Sequence, residues 1–185
     1  MTELTRSLLD AAAELLAVHG SRGLRMAEVA AKAGVSRQTV YNEFGNKQRL
    51  VQAVALHKAA EFLDGVRERL DSTPDPLEGL RRGIAFTFEL AGRDALTTSV
   101  LDGANAEDMV PLLTTRGRPV LNLATAVLAH HLRRHWTALP PARVHLIADT
   151  IVRMTLSHLL TPGSHRVEAV VQVTEALLAD TPHHR

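Results

Sequence analysis

The chain has no cysteine, which excludes disulfides, cysteine-ligated zinc and a thiol nucleophile and fits a reducing cytoplasm. Aromatic residues are scarce, with one Trp, one Tyr and four Phe in 185 positions. Strands favour such side chains, so helices are the expected element. No apolar run approaches the ~20 residues that cross a bilayer. Acids in the opening MTELTRSLLDAAAELL interrupt any secretory-signal pattern. Gly-rich phosphate loops, HExxH and GxSxG are all missing, so neither an enzyme nor a cofactor is expected. These absences describe a cytoplasmic protein with no membrane contact.

What is present is an apolar fraction of 45%, incompatible with a disordered chain, and Leu and Ala in every segment. The length allows one or two domains with a sizeable core. The net charge of +1 conceals an asymmetry. Between Arg22 and Arg49 stand six basic residues (Arg22, Arg25, Lys32, Arg37, Lys47, Arg49) against two acids, Glu28 and Glu43. A local basic patch on a near-neutral chain suits a partner with phosphate charge.

Hydrophobic spacing predicts a helix from Thr5 to His19, ending at Gly20. Asn46 is placed to cap a long helix that runs to Leu70. The turn-rich segment Asp71-Ser-Thr-Pro-Asp-Pro76 follows as the clearest linker. Beyond it, helices are expected over Leu77 to Ala91, Thr97 to Leu101, Met109 to Leu113, Pro119 to Trp136, Pro141 to Leu160 and His165 to Leu178. About nine helices without a strand pattern make an all-α protein. His131 and His135 lie four apart, a spacing that can ligate a metal. Arg133 and Arg134 interleave them and no carboxylate is suitably spaced, so they read as solvated histidines and no metal is expected.

The segment from Arg25 to Phe44, RMAEVAAKAGVSRQTVYNEF, carries the chemistry. Val29, Ala30 and Ala33 give a first short helix a small apolar face. Gly34 sits where the chain reverses, and Ser36 can cap the next helix. Val40 and Phe44, four apart, face inward. Arg37, Gln38, Thr39, Tyr41 and Asn42 are left facing outward, as a helix-turn-helix requires of the helix that meets base edges and phosphates.

The pattern Val29-Ala30-x-x-Ala33-Gly34-Val35-Ser36-x-x-Thr39-Val40-Tyr41-x-x-Phe44-x-x-Lys47 resembles the DNA-binding signature of the tetracycline-repressor (TetR) family. The resemblance covers about the first third of the chain. It departs at Arg25, where the family usually has Ser or Thr, and at Gln38, where it usually has Gly. It implies a helix-turn-helix domain over residues 1–46 and a helical effector-binding and dimerisation domain over 47–185, joined by a linking helix, 47–70. The DNA-binding residues it implies are Arg25, Ser36, Arg37, Gln38, Thr39, Tyr41, Asn42 and Lys47.

The resemblance further implies a homodimer on a palindromic operator in double-stranded DNA, with two heads ~34 Å or more apart. Dimerisation is expected through the last two helices, with Val144, Ile147 and Ile151 on one and Val167, Val170, Val171, Thr174 and Leu177 on the other. The last helix is apolar on more than one stripe, which favours a partner. An effector pocket lined by Phe86, Phe88, Leu112, Asn122, Thr125, Trp136 and Met154 is implied, taking an apolar or amphipathic small molecule. The expectation is a repressor released by that molecule. The competing reading is a helical small-molecule-binding protein that no longer reads DNA specifically, supported only by Arg25 and Gln38.

Overall fold

The computed structural model describes residues 1–91, 118–161 and 164–179. Among the described residues there are eight α-helices and no strand: α1 (Glu3–Gly23), α2 (Met26–Lys32), α3 (Arg37–Phe44), α4 (Lys47–Leu70), α5 (Pro76–Ala91), α6 (Arg118–His135), α7 (Pro141–Leu160) and α8 (Arg166–Leu178). The short helices expected around residues 97–101 and 109–113 lie outside the described residues. No described helix is long and apolar enough to cross a membrane.

The described residues form two compact units, 1–59 and 60–91 with 118–179. The division falls inside α4, so the helix that begins at Lys47 contributes to both units. Leu50, Val51 and Val54 explain this, because they are buried in the same cluster as Leu8, Leu16, Leu24, Val29 and Val40. The first turns of α4 are thus part of the N-terminal core.

In the first unit, the Thr2 hydroxyl caps α1 by accepting from the Thr5 N–H at 3.1 Å. The expected break at Gly20 is a kink rather than an end. Its φ of 65° and ψ of 177° interrupt the helix, which resumes as far as Gly23. Helix α2 packs on α1 and on α3.

In the second unit, α7 runs along α6, while α8 packs on α5 and α7. The Asp75 carboxylate caps α5 by accepting from the Leu77 N–H at 2.9 Å. Leu80, Leu132, Trp136, Val144, Ile147, Ile151 and Val170 are each at most 2% exposed in one continuous core. Full burial of such a side chain contributes about 1.5–3 kcal/mol. Two glycines permit close approach here: a Cβ on Gly79 would lie 2.4 Å from the Leu70 carbonyl oxygen, and one on Gly65 would lie 2.6 Å from Phe86 Cζ.

His131 corrects the expectation of a solvated histidine. It is 3% exposed, and its Nε2–H donates to the Pro76 carbonyl at 3.1 Å, fastening α6 to the start of α5. Burial is the main reason its pKa lies below the ordinary 6.5. The neighbouring His135 and Arg134 push the same way, while the Pro76 carbonyl and Asp71 oppose them.

Candidate nucleic-acid interface

The turn between α2 and α3 is set by two backbone bonds. The Gly34 N–H reaches the Ala31 carbonyl at 3.3 Å, and the Val35 N–H reaches the Ala30 carbonyl at 3.0 Å. This paired closure needs a left-handed residue, and Gly34 supplies it with φ 68°. Ser36 then opens α3, its Oγ accepting from the Thr39 N–H at 3.1 Å and lying 2.9 Å from Thr39 Oγ1. Gly45, at φ 75°, ends α3 by donating to the Tyr41 carbonyl at 2.8 Å. Asn46 Oδ1 accepts from the Arg49 N–H at 2.9 Å and so caps α4.

Those stops bound α3 as an eight-residue helix. Val40 and Phe44 are its buried residues and hold it to the first unit. Ser36, Arg37, Gln38 and Asn42 are exposed, whereas Thr39 and Tyr41 are half-buried. The outward side chains are organised before any ligand arrives. Arg37 Nη2 donates to the Tyr41 hydroxyl at 3.2 Å, with the guanidinium 5.2 Å from the Tyr41 ring centre. One residue further along the face, Gln38 Nε2 donates to Asn42 Oδ1 at 2.8 Å.

The basic residues are less uniform than their count implies. Lys32 pairs with Glu14 of α1 at 2.6 Å, which offsets its charge. Lys47 donates to the Arg22 carbonyl at 3.3 Å, so its ammonium lies beside the end of α1. Arg25 is the N-cap of α2 and makes no side-chain cap bond, so the hydroxyl expected there by resemblance has no substitute. Glu43, which the sequence marked only as an acid, bonds to Thr5 of α1. No sequence signal links residues so far apart.

Six of the eight residues expected to meet a second copy are covered within the protomer. Val144, Ile147, Ile151, Val170, Val171 and Thr174 are buried within the protomer, and Val167 and Leu177 are partly buried against the same core. They form the inner stripes of α7 and α8, which pack on α5 and α6. The large apolar residues left outward on α7 and α8 are Leu146, 65% exposed, with Leu160 and Val173.

Of the expected pocket residues, Phe88, Thr125 and Trp136 are buried, while Phe86 and Met154 are half-buried. Asn122 is exposed, which corrects its assignment to an enclosed pocket, because it lies on the outer face of α6. Leu112 lies outside the described residues. The Thr125 hydroxyl is buried and has no hydrogen-bond partner among the described residues. Phe86 stacks on Phe62 with ring centres 6.0 Å apart and lies under the Arg69 guanidinium at 4.2 Å. It borders an open cleft of about 530 Å³ between α4 and α5.

Residues 8–54 match the family model for bacterial regulatory proteins of the tetR family, and residues 75–179 match that for the bacterial tetracyclin repressor C-terminal domain. The chain is 34% identical over 169 residues to the HTH-type transcriptional regulator AlkX of Mycobacterium tuberculosis, across 90% of this chain and 80% of that protein. It is 29% identical over 142 residues to the HTH-type transcriptional regulator TtgR of Pseudomonas putida, across 71% and 67% of the two chains. The crystal structure of the TetR family repressor AlkX from a Dietzia strain, implicated in biodegradation of n-alkanes, superposes with a TM-score of 0.73 at 29% identity, covering 95% of this chain and 93% of that one. With both parts of the chain matched and a reading helix held outward between two glycine turns, the protein belongs to the TetR family of DNA-binding transcriptional regulators, which are not enzymes.

Proposed function

We infer that this regulator is a cytoplasmic homodimeric repressor that occupies a palindromic operator and leaves it when an aliphatic small molecule enters its C-terminal unit. The outer face of α3 carries the reading: Arg37, Gln38 and Asn42 stand exposed, with the half-buried Tyr41 beside them, on a helix anchored by Val40 and Phe44. In the complex these four enter the major groove. Arg25 and Lys47 meet phosphates on either side, and Ser36 with Thr39 keeps the helix start in place.

Two observations support the rest. Leu146, Leu160 and Val173 leave apolar surface outward on α7 and α8, where a two-fold copy would bury it. The second unit's core is mainly aliphatic around Phe88 and Trp136, and among its buried polar groups (Thr87, Thr125, His131, Thr155 and Thr174) the Thr125 hydroxyl has no hydrogen-bond partner among the described residues. An unpaired buried hydroxyl costs about 1–3 kcal/mol, which a ligand oxygen would recover. An alkane-derived chain with one oxygen fits these surroundings. The named association of the Dietzia AlkX with n-alkane degradation agrees with that chemistry. Release follows if the ligand prefers a body conformation in which the heads no longer match the half-site spacing, with α4 as the lever.

The test is fluorescence anisotropy on the DNA upstream of the protein's own gene, across a salt series with scrambled competitor. Binding that survives competitor at two protomers per duplex, and that 1-dodecanol reverses, is the expected result. Weak binding that follows salt and ignores sequence would overturn the reading.

A further inference from the structure

The geometry points to Gln38 and Asn42 as one linked reader of a single A·T base pair in each half of the operator. Gln38 makes the base contact and Asn42 holds its amide in place. The inference rests on sequence-specific DNA binding by this chain and adds which base the helix selects.

A primary amide offers one carbonyl and two N–H groups. The 2.8 Å bond from Gln38 Nε2 to Asn42 Oδ1 uses one N–H of Gln38 and engages the Asn42 carbonyl. Gln38 keeps its own carbonyl and its second N–H, while both N–H groups of Asn42 stay available. Exchanging nitrogen and oxygen in both amides leaves the same balance for the pair, one unengaged carbonyl and three N–H groups. That exchange would hand the unengaged carbonyl to Asn42; with Gln38 as the donor, as the structure has it, the carbonyl beside an N–H stays on Gln38 and makes Gln38 the reader.

A carbonyl beside an N–H is the complement of the adenine edge, which presents the N7 acceptor next to the N6–H donor in the major groove. Guanine presents two acceptors there, N7 and O6, and would leave the Gln38 carbonyl facing an acceptor. Cytosine offers only its N4–H donor, and thymine an acceptor beside a methyl group. The bond to Asn42 also matters energetically. A free Gln side chain must be ordered on binding, whereas one already bonded one turn along the helix loses less freedom at that moment. Both residues are exposed, and the other long outward side chain near the helix start, Arg37, is aligned along Tyr41 instead.

The experiment is selection from a randomised duplex library using the full-length wild type, Gln38→Ala and Asn42→Ala, followed by anisotropy on duplexes changed one base pair at a time. Thermal unfolding by circular dichroism confirms that both variants remain folded. The wild type is expected to enrich a two-fold symmetric sequence with an A·T pair at one fixed position in each half. Gln38→Ala should remove the preference at that position alone, a loss of roughly 5- to 150-fold in discrimination. Asn42→Ala should blur the same position to a smaller degree.

An equal loss of affinity on every duplex in Gln38→Ala would overturn the inference, because it would make Gln38 a backbone contact. A changed preference at a different position in Asn42→Ala would overturn the linkage. No enriched sequence for the wild type would overturn specific reading by this chain and the base assignment with it.

Discussion

Thr5 Oγ1 donates to Glu43 Oε1 at 2.6 Å, joining the first turn of α1 to the last turn of α3 across 38 positions of sequence. Thr5 has a single hydroxyl hydrogen, so its 2.6 Å contact with the Thr2 hydroxyl is donated by Thr2. A short relay thus runs from the helix cap to the one acid of the reading helix. It gives α3 a second attachment besides Val40 and Phe44, and it engages a carboxylate that would otherwise repel phosphate.

Thr5→Val removes that relay while keeping the shape of the side chain. Stability should fall by about 1 kcal/mol, the net contribution of an accessible hydrogen bond. Operator affinity should fall as well, because Glu43 is released beside the DNA. Urea unfolding and anisotropy on the operator check both effects, and unchanged affinity would make the bond purely local.

Arg37→Ala and Tyr41→Phe should both weaken operator binding without disturbing the fold. The Phe keeps the ring that packs on the first core, and Arg37 is exposed. Arg37→Ala should cost about 1–3 kcal/mol of binding if the guanidinium reads a base, or lower the salt slope by about 0.9 if it meets a phosphate. Full affinity in both variants would contradict the assignment of α3 as the reading helix.

Gly65→Ala should destabilise the protein even though Ala favours helix by about 1 kcal/mol over Gly. Its Cβ would lie 2.6 Å from the Phe86 ring, and overpacking of this kind costs about 1–3 kcal/mol. Adding Phe86→Leu should restore much of the loss. Gly79→Ala should be worse than Gly65→Ala, because the obstacle is the Leu70 backbone carbonyl, which cannot rotate away. Urea denaturation of the three variants gives the order.

His131 makes stability depend on pH. Its folded pKa is lowered, chiefly by burial, so below the ordinary 6.5 the unfolded chain binds a proton that the folded chain resists. Its contribution is fully present above 6.5 and is lost as pH falls toward the folded value. His135, Arg134 and Asp71 are the charged or titratable groups acting on it. His131→Gln keeps a donor for the Pro76 carbonyl, so the stability gap between wild type and variant should narrow between about pH 7.5 and 5.5. A constant gap across that range would contradict the lowered pKa.

Leu146→Asp tests the dimer. A monomer with 65% of Leu146 exposed should tolerate Asp with little change in unfolding temperature. A dimer that buries it should dissociate toward the 20.1 kDa protomer and lose operator affinity. Light scattering coupled to size exclusion gives the mass. A dimer as tight as the wild type would place the interface elsewhere.

Much of the reading element was legible in the sequence because its signals are local. Gly34 for a left-handed turn, Ser36 and Asn46 for caps, and Val40 with Phe44 for an inward face each act within about four residues. The long helices were legible for the same reason, since a repeated apolar stripe specifies a helix wherever it packs. Distant pairings were not. Nothing in the spacing told that Glu43 would bond to Thr5, that His131 would be buried on Pro76, or that Phe86 would lie on Gly65.

The apolar stripes of α7 and α8 mark the limit most clearly. Their periodicity announced buried faces but not which body would bury them. A hydrophobic face carries no address, and the energy of covering it is nearly the same whether the cover is α5 and α6 or a second copy. The sequence by itself determined an all-helical chain with a helix-turn-helix head, through caps, turns and periodic apolar positions. Only the tertiary structure decided that Val144, Ile147 and Ile151 belong to the protomer's own core and that Leu146 faces outward. The four-residue spacing of Gln38 and Asn42 put them on one helix face, and the chosen rotamers made the bond between them. The contacts between helices depend on how the helices are placed, which no local pattern encodes.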